Sequence, residues 1–202
     1  MPLPSGHPME GMKVYNMKLG MWVFLLSEVM FFSSLIGAYI ILRFAHPEQW
    51  AEPGVVLNVP LTAFNTFLLI CSSVTMVKAF AAIEHGDQRM LKRWLLATIL
   101  LGATFVGIQV YEYIKLIEHG FVPNAAAYAA PGGPLYGSTF YTMTGFHGTH
   151  VTIGVLCMIF TTIQAFRGKY TKDDYGGVEI MGLYWHFVDL VWIILFTIVY
   201  LI

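Results

Sequence analysis

Two histidines three residues apart, His147 and His150, are the side chains whose spacing most suggests chemistry. Residues at i and i+3 share one helix face, and imidazole is a common metal ligand. Glu112 falls at a similar depth when helices are counted at about 1.5 Å per residue, and adds a carboxylate oxygen. We favour the alternative, hydrogen bonding between helices, because no third ligand motif or catalytic base is recognisable. For Glu112, an i, i+3 ion pair with Lys115 is a further alternative.

A second candidate is the carboxylate of Glu28, which lies inside an apolar segment bounded by Lys18 and Arg43. The 24 residues between these cations are enough to span a bilayer. Glu28 lies about 15 Å from Lys18 along the helix. An acid at that depth costs about 2.5–3.5 kcal/mol on insertion scales, so it should face protein or water. Glu28 is therefore a candidate for proton exchange, with a purely structural hydrogen bond as the alternative.

The composition requires a membrane to surround these residues. The chain is 57% hydrophobic and only 11% charged, whereas soluble domains are about a quarter charged. A formal net charge of −1 leaves no basic or acidic tail, so nothing indicates nucleic-acid binding. We predict an all-α polytopic membrane protein with an irregular interfacial arm over residues 1–17. Five transmembrane helices follow, at about 19–42, 60–83, 94–117, 139–166 and 180–202.

The distribution of Lys and Arg predicts the orientation. Nine of the eleven lie in or near the arm, the 84–93 hairpin and the 167–179 loop, and only Arg43 and Lys115 lie on the other side. Because cytoplasmic loops are rich in cations, the N-terminus is predicted in the cytoplasm and the C-terminus outside.

With this orientation, helix rise predicts two polar layers. Glu28, His186 and Asp189 lie about 10–15 Å from the cytoplasmic side. Glu112 and the two histidines of the fourth span lie about 25–30 Å from it. For His186 and Asp189, at i and i+3 on the last span, a polar contact between helices is favoured over proton relay.

Small and cationic residues complete the set of candidates. The small residues of the fourth span are typical of close helix packing: Gly145, Gly148, Thr149 and Thr152. Arg167, at the cytoplasmic end of that span, is placed either to hold a lipid phosphate or only to set orientation.

Five segments in order carry a resemblance that covers residues 18–202. They are KLGMWVFLLSEVMFF, FNTFLLICSSVTM followed by EHGDQRML, QVYEY, YGSTFYTMTGFHGTHVTIG and YWHFVDLVWIILFTIVYL. Together they resemble subunit III of the haem-copper terminal oxidases, cytochrome c oxidase in particular.

The resemblance implies an accessory subunit of a bacterial inner-membrane complex that reduces oxygen to water and pumps protons. It implies direct packing against catalytic subunit I, contact with other oxidase subunits, and bound phospholipid. Haem and copper would belong to partner subunits, and this chain would have no cofactor, metal or catalytic residue of its own. A larger respiratory supercomplex is compatible with it.

The resemblance also assigns expectations to residues. Glu28 matches the family's membrane-embedded acid, and Arg167 matches an arginine associated with phospholipid. Further residues fall on motif positions: His147, His150, Glu179, His186 and Asp189.

One departure and two alternatives accompany the resemblance. Many members have seven helices, and this chain lacks the first two, which form one wall of a lipid-holding cleft. Quinol oxidases and nitric oxide reductase-linked relatives also have a five-helix subunit, although SEVMFF favours the cytochrome c type. A more remote alternative is an independent transporter or intramembrane enzyme, but no span is broken at mid-depth by Gly and Pro.

Overall fold

The computed structural model describes residues 8–50, 53–122 and 133–201. Within these ranges the chain is all-helical and has no strand. Five of its helices are long and apolar enough to cross a membrane, which confirms the predicted class and number of spans. The helices are α1 (Pro8–Ala45), one-turn α2 (Pro53–Val56), α3 (Val59–Glu84), α4 (Gln88–Glu118), α5 (Gly133–Phe166) and α6 (Gly176–Phe196), with a 3₁₀ turn at Pro47–Gln49.

The N-terminal arm differs from the prediction. Helix α1 begins at Pro8, so the irregular arm predicted for residues 1–17 is wrong over residues 8–17, and residues 1–7 lie outside the described ranges. Proline is well accommodated in a first helical turn, and Gly11 alone costs only about 1 kcal/mol in a helix. Apart from Pro8 and Gly11, residues 8–17 contain no helix breaker, so α1 continues through them into the first span.

The hairpin between the second and third spans is tighter than predicted. Helix α3 ends before Gly86, whose φ of +80° suits glycine. Asp87 then caps α4 by accepting hydrogen bonds from the backbone N–H groups of Arg89 and Met90, each at 3.0 Å. The third span therefore begins at Gln88 and not near residue 94.

The last two spans also begin earlier than predicted. Helix α5 begins at Gly133 and α6 at Gly176, whereas the sequence placed these starts near residues 139 and 180. The Gly and Pro content that indicated a loop is tolerated in a first helical turn. The predicted 118–138 loop is thus helical from residue 133, and its residues 123–132 lie outside the described ranges.

The bundle is packed around the tryptophans of α6. Trp185 is buried between Gly102 of α4 and Gly154 of α5, where an added Cβ would lie 2.7 and 2.9 Å from the indole. Its Nε1–H donates a 3.0 Å hydrogen bond to the hydroxyl of Ser72 on α3. One side chain therefore joins four helices, and the two glycines provide the space that it needs.

Helix α1 lies at the periphery of the bundle. It packs mainly against α5 and α6, and large apolar side chains such as Trp22, Met30 and Ile41 remain exposed along it. In a membrane these side chains face lipid or another subunit. The buried side chains of α1 attach it to the core: Leu25, Phe32 and Tyr39.

The end of the chain departs from regular α-helix. After α6, residues Thr197–Leu201 form a π-helical turn. This turn places Tyr200 in the interior, where its ring stacks on Phe196 with centroids 5.5 Å apart. Because π turns rotate the following side chains, Tyr200 can reach a polar group on α4.

Candidate functional site

Glu28 of α1 and His150 of α5 form a hydrogen-bonded pair within the membrane-spanning region. Glu28 Oε2 lies 3.0 Å from His150 Nε2, and each side chain is 17% exposed. The other ring nitrogen, Nδ1, lies 2.7 Å from the carbonyl oxygen of Phe146. Because a carbonyl only accepts hydrogen bonds, Nδ1 carries a proton, and one further proton lies between Nε2 and Oε2. The pair is neutral overall wherever that proton resides.

Aromatic rings and a tyrosine hydroxyl surround this pair. The ring of Phe32 meets the His150 imidazole edge to face, with centroids 5.2 Å apart. The Tyr184 hydroxyl of α6 donates a 2.9 Å hydrogen bond to the backbone oxygen of His150. The pair therefore joins α1 to α5 and lies beside α6. Its low exposure makes the hydrogen bond hard to replace with water.

A second polar contact attaches α1 to the bundle near the start of its membrane-spanning part, Asn16–Ala45. The Lys18 ammonium lies 2.7 Å from a carboxylate oxygen of Glu179 in the first turn of α6. Both groups are partly exposed, so the ion pair contributes at most about 1 kcal/mol. The sequence placed Glu179 on a motif position but did not predict its partner.

Glu112 of α4 is buried and has partners on two other elements. The Thr62 hydroxyl of α3 donates to Oε1 at 2.9 Å, and the Tyr200 hydroxyl donates to Oε2 at 3.4 Å. The alternative of an ion pair with Lys115 is wrong, because the Lys115 ammonium bonds Glu118 at 2.8 Å. Glu112 therefore joins α3, α4 and the C-terminal turn.

His147 is fully buried and faces α6. Its Nε2–H donates to the backbone oxygen of Val188 at 3.1 Å, and its ring stacks on Trp192 with centroids 4.7 Å apart. Its Nδ1 has no hydrogen-bond partner among the described residues. The three side chains considered as a metal set, Glu112, His147 and His150, thus each have separate partners. No group of three His, Cys, Asp or Glu side chains gathers in the described parts of the chain.

The two-layer arrangement is wrong for Glu28 and His150. Helix rise placed them about 15 Å apart in depth, whereas their side chains are in hydrogen-bond contact. The count assumed upright helices that end at the membrane edge. Helix α5 has 34 residues, about 51 Å, which exceeds the hydrocarbon core and requires tilt or protrusion.

His186 and Asp189 lie together on α6, beside α3. The His186 Nδ1 lies 2.5 Å from the hydroxyl oxygen of Ser73. Asp189 is buried, and its Oδ1 has no hydrogen-bond partner among the residues described. The two helices therefore share a polar contact at this point, through His186 and Ser73.

The small residues of α5 and the cation at its end lie apart from these contacts. Gly145, Gly148 and Thr149 line an open groove beside α4, whereas the glycines that allow close helix packing are Gly102 and Gly154. Arg167 follows directly after α5 and is exposed.

Sequence reasoning missed the polar face of α3. Its side chains hydrogen-bond two other helices, α4 and α6: Thr62 to Glu112, Asn65 to the Phe105 carbonyl at 3.1 Å, Thr66 to the Trp192 indole at 2.9 Å, Ser72 to Trp185, and Thr75 to Thr98 at 2.8 Å. The signal was present, because small polar residues recur within this largely apolar span, among them those at positions 62, 65, 66, 72 and 75. They hold helices together through hydrogen bonds between helices.

Comparison with known proteins agrees with the motif resemblance. The family described as Cytochrome c oxidase subunit III matches residues 6–202. Cytochrome c oxidase subunit 3 of Thermostichus vulcanus is 40% identical over 184 residues, which are 91% of this chain and 86% of the relative.

Two actinobacterial relatives are equally similar. The probable cytochrome c oxidase subunit 3 of Mycobacterium tuberculosis is 40% identical over 185 residues, 91% of this chain and 87% of the relative. Cytochrome c oxidase subunit 3 of Corynebacterium diphtheriae is 39% identical over 186 residues with the same coverage. With this identity across nearly the whole length, and with the family match over residues 6–202, the chain belongs to the cytochrome c oxidase subunit III family.

Proposed function

We propose that this chain is an accessory subunit of a bacterial cytochrome c oxidase that stabilises catalytic subunit I, binds phospholipid and supports proton uptake. The family match over residues 6–202 is the observation that carries this proposal. The family is a subunit III without metal centres of its own. Haem and copper would therefore belong to partner subunits.

The polar contacts support a structural role. Glu28, Glu112 and His147 each bond to groups on other helices, and so hold the bundle in one arrangement. A rigid bundle with long apolar faces suits a subunit that packs beside another membrane protein. Exposed apolar residues along α1 and α3 provide such faces.

The electron donor proposed is cytochrome c. The relatives described above are each named as cytochrome c oxidase subunits, and the SEVMFF segment agrees with that type. A quinol oxidase subunit is the alternative, because five-helix subunits occur there too.

Glu28 is proposed to support proton uptake without carrying a step of oxygen reduction. Its contact with His150 holds one proton that either partner can bind, which suits a group that exchanges protons while the pair stays neutral. The predicted orientation places Glu28 in the cytoplasmic half, from which protons enter. The alternative is that the same contact only anchors α1.

Arg167 is proposed to bind a phospholipid headgroup. It lies exposed at the end of α5, on the side predicted to be cytoplasmic, and guanidinium binds phosphate through short charge-assisted hydrogen bonds. In longer relatives, two further helices form one wall of a lipid cleft. A headgroup site at a helix end does not require that wall.

Purification from native membranes tests the proposed function. An affinity tag on this chain should retain a haem-bearing partner at about one to one, with oxygen consumption in the eluate. After separation, the chain alone should show no haem or copper absorbance. A haem bound stoichiometrically to the separated chain, or oxidase activity that never coelutes with the tag, would contradict the assignment.

A further inference from the structure

A groove between α4 and α5 contains a buried amide without partners. Gln109 is only 4% exposed and lines the groove, which has a volume of about 280 Å³. Neither its Oε1 nor its Nε2 makes a hydrogen bond of ordinary geometry among the described residues. The Tyr113 hydroxyl, which lies beside it, donates its proton to Thr144 at 2.6 Å instead. A buried amide usually satisfies both atoms, so the groove lacks a donor and an acceptor that Gln109 requires.

The groove wall on α5 consists of small residues. An added Cβ at Gly145 would meet nothing within 4 Å, and one at Gly148 would meet only the Gln109 amide, 3.6 Å from Oε1. Thr149 and Thr152 are exposed, and their hydroxyls bond back to carbonyl oxygens of their own helix at 2.9 and 2.8 Å. These positions therefore leave space beside α5 in which another helix could approach closely. No described part of this chain fills that space.

The glycines elsewhere in the bundle provide the contrast. Gly102 and Gly154 are filled by Trp185, so their lack of a side chain serves packing within the chain. Gly145 and Gly148 serve no such contact. Small residues on a membrane helix allow the backbone of a neighbouring helix to approach closely.

The depth of Gln109 in the membrane indicates what kind of molecule occupies the groove. Helix α4 has 31 residues, about 46 Å, and Gln109 lies about 9 Å from its midpoint, within the hydrocarbon core. Lipid headgroups and ester carbonyls lie nearer the membrane surface, and an acyl chain would leave both amide atoms unsatisfied. A transmembrane helix with a hydroxyl or amide side chain can supply a donor and an acceptor at this depth.

We propose that this groove receives a transmembrane helix of another oxidase subunit, whose hydroxyl or amide side chain hydrogen-bonds Gln109. The inference rests on the proposed function, because that function supplies the partner. It adds which face of this chain meets the partner and which side chain recognises it.

Photocrosslinking in the intact complex tests the proposal. A benzophenone amino acid at Thr149, in the groove, is compared with one at Thr104, which is exposed on α4 outside the groove. Thr149 should cross-link to a transmembrane segment of an oxidase subunit, identified by peptide mass spectrometry, and Thr104 should not. A cross-link to phospholipid, to a non-oxidase protein or to nothing would overturn the proposal.

A matched pair of glycine variants gives a second measurement. Gly145→Leu fills the groove, whereas Gly37→Leu adds the same bulk to α1, where an added Cβ also meets nothing within 4 Å. Gly145→Leu should lower the fraction of haem retained with the tagged chain after detergent washing, and Gly37→Leu should leave it unchanged. Equal retention in both would contradict the groove as an interface.

Gln109→Leu separates recognition from folding. In the separated full chain the variant should be no less heat-stable than the parent, because it removes two unpaired polar atoms. In the complex it should weaken retention about threefold or more. A less stable separated chain would instead place the partner of Gln109 within the chain. If haem coelutes with every variant alike, the groove proposal fails while the proposed function stands. If haem never coelutes with the parent chain, the proposed function itself fails.

Discussion

His150 holds Glu28 through one ring nitrogen and its own helix through the other. The Nε2 to Oε2 distance is 3.0 Å, and Nδ1 lies 2.7 Å from the Phe146 carbonyl oxygen. The second contact fixes the proton on Nδ1, so Nε2 remains to hydrogen-bond the Glu28 carboxyl group. An acid inside the membrane thereby has a specific partner, and α1 gains an attachment to α5.

This relationship predicts different outcomes for two variants of Glu28. Glu28→Gln can donate an amide hydrogen to Nε2, so the variant should assemble normally and begin turnover at a near-normal rate. If proton exchange matters, its oxygen consumption should then decay faster than that of the parent, most clearly at high pH, where protons are scarcest. Stable turnover identical to the parent would leave only the structural role, and immediate complete loss of activity in an assembled variant would refute both roles.

Glu28→Ala should loosen α1, because it leaves Nε2 of His150 unpaired in an apolar site. The expected cost is about 1–3 kcal/mol, measured as a lower thermal midpoint and as easier loss of the chain from its complex. A double-mutant cycle with His150→Ala should give a coupling energy of about 0.6–1.7 kcal/mol. Additive single effects would mean that the pair contributes no interaction energy.

Thr62→Val tests the contacts of Glu112. The change keeps the shape of the side chain and removes the hydroxyl that donates to Oε1 at 2.9 Å. Because Glu112 is buried, the loss should destabilise the chain by about 1–3 kcal/mol in thermal unfolding. Thr104→Val, at an exposed threonine that bonds only to its own helix, serves as the control and should have little effect.

Gly102→Ala should disrupt the packing around Trp185. The added Cβ would lie 2.7 Å from the indole, so the ring or α4 must shift, at a cost of about 1–3 kcal/mol. Gly107→Ala on the same helix meets nothing within 4 Å and should stabilise the chain by up to about 1 kcal/mol. Thermal midpoints that change in the same direction for both variants would contradict this assignment.

Arg167→Ala should reduce tightly bound phospholipid, measured by mass spectrometry of the purified complex. Lys169→Ala is a suitable control, because Lys169 is also exposed and cationic but lies farther from the end of α5. Unchanged lipid content in the Arg167 variant would leave this residue with a role in orientation only.

Cysteine labelling should test the predicted topology. Arg89 and Lys172 lie at the end of the bundle where the Gln88 amide donates to the Tyr170 carbonyl at 2.7 Å, and Glu48 lies in the connection after α1. Cysteines at Arg89 and Lys172 should resist a membrane-impermeant reagent added outside, and one at Glu48 should react. The reverse pattern would invert the orientation.

Length and hydrophobicity along the chain determined the class and the number of spans. Each segment that crosses the membrane must satisfy its own backbone hydrogen bonds, so a long apolar run predicts a helix without knowledge of its neighbours. The helix starts were harder to place, because polar first turns such as the one capped by Asp87 resemble loops in sequence. The order of motifs was likewise enough to indicate the family.

The partners of the polar residues depended on tertiary structure. Sequence spacing put His186 and Asp189 on one helix face, but it placed Glu28 and His150 in different layers. Lys115, which it offered as an alternative partner of Glu112, bonds Glu118 instead. Which side chains meet depends on the tilt and rotation of each helix, and these are set by packing between helices distant in sequence. In this chain, Trp185 occupies the space left by two glycines on α4 and α5, and that packing brings the helices into the arrangement in which the polar groups find their partners.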